Sequence, residues 1–308
     1  MSEMKAVVQT KYGGPELMEM VRVPKPIIND NQLLIQIKAT NVASGDWRIN
    51  TLSIEPIWLK PIVRLMFGLT GPRQKIRGIS ASGIVVEAGK NVSTYKKGDR
   101  VYFINSMKAG CLAEYIALKS TAVMAKIPTK MGFEESAPLA FGAMSAYHFV
   151  NERTVQKDMK VLVYGASGSV GSYAVQLAKY YGAEVTAVAS SKHHKALLNL
   201  GVDHLIDYRK RDFRTDSKQY DFILDAVGKI SKRSCKPVLS KAGTYCNIWA
   251  MTKEDSNRLK IINEVIEDGG LETLIDEAYL FAEYKTAHSH TYDGHKSGNV
   301  VIRIQEES

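Results

Sequence analysis

A run of mostly small residues is the segment of this chain whose types and spacing most clearly predict chemistry. Gly165-Ala166-Ser167-Gly168-Ser169-Val170-Gly171 follows the apolar stretch Val161 to Tyr164 and precedes a stretch with helical apolar spacing, Ser172 to Tyr181. A strand that enters a helix through such a turn lets the backbone approach a pyrophosphate, and the first N–H groups of the helix face the anion. Ala166 replaces the first glycine of the strict GxGxxG pattern, so the flanking strand and helix carry much of the prediction of a dinucleotide site.

The end of the next predicted strand indicates which dinucleotide is bound. It runs Val188-Ala189-Ser190-Ser191-Lys192, with no carboxylate. An NAD-selective site places Asp or Glu there to hold the ribose 2′-hydroxyl, whereas two hydroxyls and an ammonium suit a 2′-phosphate. We therefore expect NADPH (NADP) rather than NADH, with Ser190, Ser191 and Lys192 as contacts and Tyr208, after the third strand, adding a hydroxyl. For Lys192, a solvated position at the start of a helix is the alternative.

The rhythm of apolar residues places these motifs in the second of two domains. Alternating stretches at 4–10 and 33–39 indicate strands in a β-rich first part. Beyond residue 133, short apolar runs alternate with helix-like stretches, which predicts an α/β domain with a doubly wound parallel sheet. We expect a first domain over residues 1–127 and a nucleotide-binding domain over 128–269. The candidate strands of the second domain are 161–164, 185–189, 204–206, 222–224 and 243–248.

Composition argues against several classes of protein. The chain has no run of about 18 uncharged apolar residues, so neither a membrane span nor a membrane partner is expected. Cys111, Cys235 and Cys246 lie far apart and outside any CxxC pair, and no export signal follows Met1, which favours a cytoplasmic protein without disulfides. The net charge of +9 favours anionic ligands, but the basic residues are dispersed, which argues against nucleic acid as a partner.

Motifs along nearly the whole chain resemble the medium-chain dehydrogenase/reductase superfamily and, within it, the zinc-free NADPH:quinone oxidoreductases. The matching segments are Lys5 to Val7, Gly13 to Glu16, Asn41 to Asp46, Gly83 to Val85, Lys97 to Val101, Ala113 to Tyr115, Gly165 to Gly171, Ile206 to Tyr208 and Gly294 to Gly298. The resemblance implies an alcohol dehydrogenase-like fold: a GroES-like first domain, completed by residues 270–308, and a Rossmann second domain.

The resemblance also implies that the chain holds no zinc. By motif position, Ala43, Ile79 and Phe141 stand where zinc-dependent members have Cys, His and Cys, and none of the three can supply a ligand atom. The lobe that carries four structural cysteines in those members is reduced here to a short connection from Phe103 to Gly110.

Three histidines near the C-terminus are the other candidate metal site. His288 and His290 are two residues apart, and His295 follows. No acidic or cysteine partner lies at ligand spacing, so we favour a polar turn before the last strand over a metal site.

Without a metal to polarise an unactivated ketone, the substrate must already be electrophilic, as a quinone or an enone is. Hydride would pass from the nicotinamide, and the protein would orient the reactants. The resemblance places Asn41 near the nicotinamide. It places four more residues along the cofactor cleft: Ser145, Ala226, Val227 and Asn247.

The remaining candidate residues have two interpretations each. Asp46 would relay a proton or bind substrate, or it would cap the helix that begins near Ser44. Trp47, Met66 and Phe141 would line an apolar substrate pocket, with core packing as the alternative.

Two departures from the superfamily keep other functions open. Asn299 replaces a lysine that is usual after the last glycine. The chain between Asn247 and Leu259 is roughly two dozen residues shorter than in typical members, in a region that contributes to the dimer, so a homodimer stays open. An NADPH-binding regulatory or RNA-binding protein with little turnover and a zinc-type alcohol dehydrogenase are the alternatives to a quinone or enone reductase.

Overall fold

A computed structural model of the chain describes residues 2–53, 60–250, 252–294 and 296–305. The chain forms two compact units, one from Met1–Phe141 with Ile275–Ser308 and one from Gly142–Leu274. Each is described by itself below.

The first unit is built on a sheet in which β3 is the central strand. Neighbouring strands follow the order β13-β14-β3-β4-β5-β7, β6 also pairs with β3, and β1 and β2 form a separate antiparallel pair. Its strands are β1 Glu3–Gln9, β2 Met18–Pro24, β3 Gln32–Val42, β4 Ser80–Ala88, β5 Arg100–Ile104, β6 Tyr115–Lys119, β7 Met124–Lys126, β13 Ile275–Leu280 and β14 Asn299–Arg303. Its helices are α1 Ser44–Thr51, α2 Lys60–Phe67, α3 Phe133–Ser136 and α9 Tyr284–Tyr292. Leu33, Ile35 and Ile37 alternate along β3 and are fully buried, which anchors the core to this strand.

The second unit contains a five-stranded sheet in which every pairing is parallel. The strand order is β10-β9-β8-β11-β12. Its strands are β8 Lys160–Tyr164, β9 Glu184–Val188, β10 His204–Ile206, β11 Tyr220–Asp225 and β12 Leu239–Asn247. Its helices are α4 Met144–Phe149, α5 Ser169–Tyr180, α6 His194–Asn199, α7 Lys232–Cys235 and α8 Ser256–Glu267. In chain order this is 3-2-1-4-5, the arrangement in which ligands bind at the carboxyl ends of the strands. The predicted α/β fold, a GroES-like β-rich domain with a Rossmann domain, is confirmed.

The boundaries between the two units lie after Phe141 and after Leu274. From the sequence, we expected them after residues 127 and 269. The helix α3 lies with the first unit because it packs on β3, β4 and β14, and the Ser82 hydroxyl donates to the Phe133 carbonyl at 2.6 Å. Residues 270–274 lie with the second unit. There the Gln176 amide donates to the Glu272 carbonyl at 3.0 Å and accepts from the Glu272 N–H at 2.8 Å.

The polar turn expected around the C-terminal histidines is wrong, because His288 and His290 lie in helix α9. The buried residues of α9 are Tyr284, Ala287, His288 and Thr291, which is the i, i+3, i+4, i+7 spacing of one helix face. His295 lies outside the described residues.

Among the described residues, no helix is long and apolar enough to cross a membrane.

Candidate functional site

The turn between β8 and α5 depends on three glycines in different ways. Gly165 has φ +79°, a conformation that favours glycine. A Cβ on Gly171 would lie 2.3 Å from the Gly165 carbonyl oxygen, so the helix can pack this closely only without a side chain there. A Cβ on Gly168 would meet nothing nearer than that same oxygen at 3.5 Å. The turn therefore leaves open space at Gly168, the N-cap of α5, where the first helical N–H groups lack helical partners.

The segment after β9 contains a buried hydroxyl without a partner. Ser190 is 4% exposed, and its Oγ accepts and donates no hydrogen bond within the described residues. Asp207 fixes this segment, because its carboxylate accepts from the N–H groups of Ser191 at 3.3 Å and Arg209 at 2.9 Å. Lys192 follows on the surface. A buried hydroxyl normally has a partner, so an incoming phosphate oxygen at Ser190 fits this arrangement.

An open cavity of about 580 Å³ lies at the carboxyl ends of β8, β10 and β11. Its lining residues are Tyr164, Tyr208, Arg211 to Arg214, Gly228 to Ser231 and Ser234. Tyr208 is 49% exposed, so its hydroxyl is accessible on this side of the sheet. The cavity is where a Rossmann sheet binds its ligand.

A buried aspartate at the end of β11 shapes the loop that borders this cavity. The Asp225 carboxylate accepts from the N–H groups of Val227 at 3.0 Å, Gly228 at 2.8 Å and Ile230 at 2.8 Å. The Ala226 N–H donates to the Tyr164 carbonyl at 2.9 Å. Ala226 and Val227 are therefore held at the carboxyl edge of the sheet.

The last two predicted cofactor residues lie on different elements of the second unit. Ser145 is in α4 and is 6% exposed. Asn247 ends β12, and its Oδ1 accepts from the Trp249 N–H at 3.0 Å. The Trp249 indole donates to the Gly228 carbonyl at 3.2 Å, which joins the chain after β12 to the loop after β11.

The residues that stand where zinc-dependent members have their metal ligands, Ala43, Ile79 and Phe141, lie close together in the first unit. Ala43 and Ile79 are 1% and 2% exposed. A Cβ on Gly45 would lie 3.2 Å from the Phe141 ring and 3.4 Å from the Ile79 side chain. The result is an apolar spot. Among the described residues, no group of three or more His, Cys, Asp or Glu side chains is arranged to hold a metal ion.

Asp46 joins two of these places through their backbones. Its carboxylate is 2% exposed and accepts from the Ala43 N–H at 2.9 Å and from the Ile79 N–H. Burial raises the pKa of the Asp46 carboxyl from 3.8 to about 7, although the N–H of Ala43, the charge of Arg77 and the N–H of Ile79 oppose the rise. The contact with Ala43 is the capping contact at the start of α1.

A buried arginine lies beside Asp46. Arg77 is 3% exposed, and its Nε donates to Asn50 Oδ1 at 2.7 Å. The Asn50 amide donates to the Tyr292 hydroxyl at 3.3 Å, and the Trp47 ring lies 5.9 Å from the Tyr292 ring. Trp47 and Tyr292 are both half-buried, so Trp47 packs beside the buried Arg77 and Asn50 rather than among them.

The first unit also holds a smaller cavity, of about 170 Å³. Its lining includes Met66, Phe67, Arg77, Ile79 and Met107. Of the three predicted pocket residues, Met66 lines this cavity, while Phe141 belongs to the apolar spot instead.

Asn41 also keeps an unsatisfied polar atom. It lies in β3 at 2% exposure, its amide nitrogen is 3.5 Å from the Ser80 hydroxyl, and its Oδ1 is buried without a partner within the described residues.

Models of two known protein families match this chain, one mainly in the first unit and one in the second. The family model "Alcohol dehydrogenase GroES-like domain" matches residues 29–160, and "Zinc-binding dehydrogenase" matches residues 169–266. The chain is 30% identical to 2-methylene-furan-3-one reductase of Solanum lycopersicum over 98% of its own length and 79% of that protein. The chain belongs to the medium-chain dehydrogenase/reductase superfamily.

Two further relatives and one solved structure are similar to this chain. It is 29% identical to the NADPH-dependent alkenal/one oxidoreductase, chloroplastic, of Arabidopsis thaliana, over 97% of its length and 79% of that protein. It is 27% identical to the chloroplast envelope quinone oxidoreductase homolog of Arabidopsis thaliana, over 97% and 98%. The quinone oxidoreductase from Coxiella burnetii has the same fold, with a TM-score of 0.82 at 24% identity over 99% of this chain and 100% of that one.

Sequence reasoning missed three residues that build the site in this superfamily member. Asp207 and Asp225 each directly follow a predicted strand and precede a turn, which is the position from which a carboxylate accepts loop N–H groups. Their type and place were a usable signal. Trp249 carries no such signal, since its contact with Gly228 depends on how two separate loops meet.

Proposed function

We propose that this protein is an NADPH-dependent oxidoreductase that transfers hydride to a quinone or to another activated carbonyl or enone, without zinc. The observation that carries the proposal is the apolar spot formed by Ala43, Ile79 and Phe141, because a site without a Lewis acid needs a substrate that is already electrophilic. The relatives named as alkenal/one, furanone and quinone reductases support the same substrate class.

The proposed cofactor contacts follow the carboxyl edge of the Rossmann sheet. The turn from Gly165 to Gly171 holds the pyrophosphate at the N-terminus of α5. Ser190, Ser191, Lys192 and Tyr208 hold the 2′-phosphate. The fit rests on the unpartnered Ser190 Oγ and on the open space at Gly168. The adenosine end occupies the cavity beside Tyr208.

The remaining residues orient the reacting end of the cofactor. When bound, the nicotinamide supplies hydride. Ser145, Ala226, Val227 and Asn247 line its path in the second unit. Asn41, in the first unit, keeps an Oδ1 without a partner within the described residues, and this oxygen is a hydrogen-bond acceptor. Asp46 is a positioning residue here, because its carboxylate is occupied by the backbone of Ala43 and Ile79.

The proposal includes a cytoplasmic location for the protein. Cys111 and Cys235 are buried and Cys246 is half-buried, and all three are free thiols. Free thiols persist in a reducing compartment, which suits a cytoplasmic enzyme acting on small molecules.

A cofactor titration followed by a substrate panel tests the proposal. NADPH should bind the purified full-length protein more tightly than NADH, and its oxidation should proceed with quinones or α,β-unsaturated carbonyls but not with simple ketones. NADPH binding without oxidation across the whole panel would favour the regulatory alternative. Reduction of NADP⁺ by simple alcohols, together with stoichiometric bound zinc, would favour the zinc-type dehydrogenase.

A further inference from the structure

One face of helix α2 leaves its large apolar side chains in solvent. Ile62, Leu65 and Met66 are 51%, 64% and 52% exposed, and Leu69, just after the helix, is 65% exposed. Ile62, Leu65 and Met66 are spaced i, i+3, i+4 and so lie on one face of the helix. We call these three residues, together with Leu69 just beyond the helix, the α2 apolar face. An exposed apolar patch rimmed by polar groups marks an interaction site.

The surroundings of this face carry only positive charge in the sequence. Between residues 56 and 86 there is no Asp or Glu, while the basic residues there are Lys60, Arg64, Arg73, Lys75 and Arg77. Arg64 and Arg73 both act electrostatically on the Tyr12 phenol, whose hydroxyl donates to the Gly68 carbonyl at 2.8 Å. These two cations therefore flank the C-terminal end of α2. Within the described residues neither forms an ion pair.

The α2 apolar face borders the smaller cavity of the first unit. Met66 belongs to both, and Met107, which is 61% exposed, lies at the same cavity. Ile79, a member of the apolar spot, lines the cavity as well. This cavity, whose lining also includes Arg73 and Gln74, therefore connects the exposed face with the place where a zinc ligand would otherwise stand.

We propose that the α2 apolar face docks on an anionic lipid bilayer. Its apolar side chains insert at the headgroup level, while Arg64 and Arg73 pair with lipid phosphates, as in interfacial amphipathic helices. A lipophilic quinone or enone dissolved in the bilayer then enters through the cavity beside Met66. This substrate route rests on the proposed function, whereas the docking itself does not.

Charge favours a bilayer over a protein partner. Each cation close to an anionic membrane strengthens binding by roughly fivefold, and the acid-free stretch around α2 adds several of them. The absence of a spanning stretch, from which no membrane partner was expected, does not bear on docking at the surface.

Vesicle binding of the full-length protein tests the docking. We expect co-sedimentation with vesicles of phosphatidylcholine mixed with phosphatidylglycerol, weaker binding to phosphatidylcholine alone, and loss of binding as salt rises. Leu65→Asp and Arg64→Glu should each lower the affinity at least fivefold. The matched controls are Leu198→Asp, at a site 54% exposed in α6, and Lys241→Glu on the surface of the other unit.

Activity measured in two ways separates the docking from the function. With a water-soluble quinone, Leu65→Asp should turn over like the unchanged protein, whereas with a lipophilic quinone held in anionic vesicles its rate should fall at least fivefold. Absent binding to anionic vesicles, or equal effects of Leu65→Asp and Leu198→Asp, would overturn the proposal, as would binding through this face to an acidic protein with no vesicle binding. Vesicle binding without any quinone turnover would leave the docking standing and reject the proposed function.

Discussion

In the proposed cofactor site, Ser190 and Lys192 would make two different kinds of contact with a phosphate. A hydroxyl that is buried without a partner, as Ser190 Oγ is, has a free-energy cost that a phosphate oxygen removes. An exposed ammonium such as that of Lys192 adds charge that NADH cannot use. The residue types after β9 are the basis of this predicted site. Asp207, whose carboxylate accepts from the Ser191 and Arg209 N–H groups, was missed, although its type and its place after β10 were a usable signal.

Replacing Lys192 by Ala should therefore change the cofactor preference. We expect the Kd for NADPH to rise roughly tenfold, since hydrogen bonds to charged groups contribute about 1.5–3 kcal/mol, while the Kd for NADH stays unchanged. Lys195→Ala, three residues further along the same surface, is the matched control. Fluorescence titration measures both, and an equal loss of NADPH and NADH affinity would refute the 2′-phosphate contact.

Asp46 should give the stability of the protein an unusual pH dependence. Its folded pKa of about 7 lies above the ordinary value of 3.8, so the folded state holds the proton more tightly than the unfolded chain. The contribution of Asp46 to stability is thus largest at low pH and is lost as the pH rises through the folded pKa. Asp46→Asn should accordingly cost less at higher pH, with the penalty shrinking by about 3 kcal/mol between about pH 5 and about pH 8.

Urea unfolding of the two proteins across this pH range measures the effect. Asp30→Asn, which removes a carboxyl at an exposed position, is the matched control. A penalty for Asp46→Asn that stays constant across this range would mean that the carboxyl is already ionised in the folded protein at about pH 5, which would contradict the raised pKa.

At the scale of elements, two glycines of the turn between β8 and α5 have different roles: Gly171 allows close packing, and Gly168 leaves space for the cofactor. A methyl group on Gly171 would collide with the Gly165 carbonyl oxygen at 2.3 Å, whereas one on Gly168 would meet it only at 3.5 Å. Gly171→Ala should lower the free energy of unfolding by about 1–3 kcal/mol, because α5 must shift away from the strand. Gly168→Ala should leave stability nearly unchanged but weaken NADPH binding, because its methyl fills the space meant for the pyrophosphate.

Thermal unfolding measures the stability of both variants, and an NADPH titration measures their cofactor affinity. Equal stability of the two variants would contradict the packing role of Gly171, and unchanged NADPH affinity in Gly168→Ala would contradict the open phosphate position.

Elements with a strong apolar period were predictable, and those with mixed faces were not. The strand β8 and the helix α5 follow the pattern of their apolar residues closely. The helix α9 was missed because His288 was considered for its ligand chemistry, although it occupies a buried position of a helix face. Burial lowers the pKa of His288 to about 3, with the charge of Arg77 acting in the same direction, so this histidine is neutral in the core.

At the scale of the whole molecule, the two-unit organisation was predictable but its boundaries were not. Apolar residues with helical spacing begin near residue 133, and from the sequence we therefore placed this segment in the second domain. The ion pair between Arg303 and Glu134 and the packing of α3 on β14 hold it in the first unit. Such contacts join residues more than a hundred positions apart, so local patterns cannot reveal them.

The central claim, hydride transfer from NADPH to an activated acceptor without zinc, is tested most directly by turnover after metal removal. The full-length protein is treated with a strong chelator, its metal content is determined, and NADPH oxidation is followed with a quinone and with an α,β-unsaturated aldehyde. We predict no bound zinc, and a rate with NADPH that chelation leaves unchanged and that exceeds the rate with NADH. Loss of activity on chelation with recovery on added Zn²⁺, or no oxidation of bound NADPH by any such acceptor, would contradict the account.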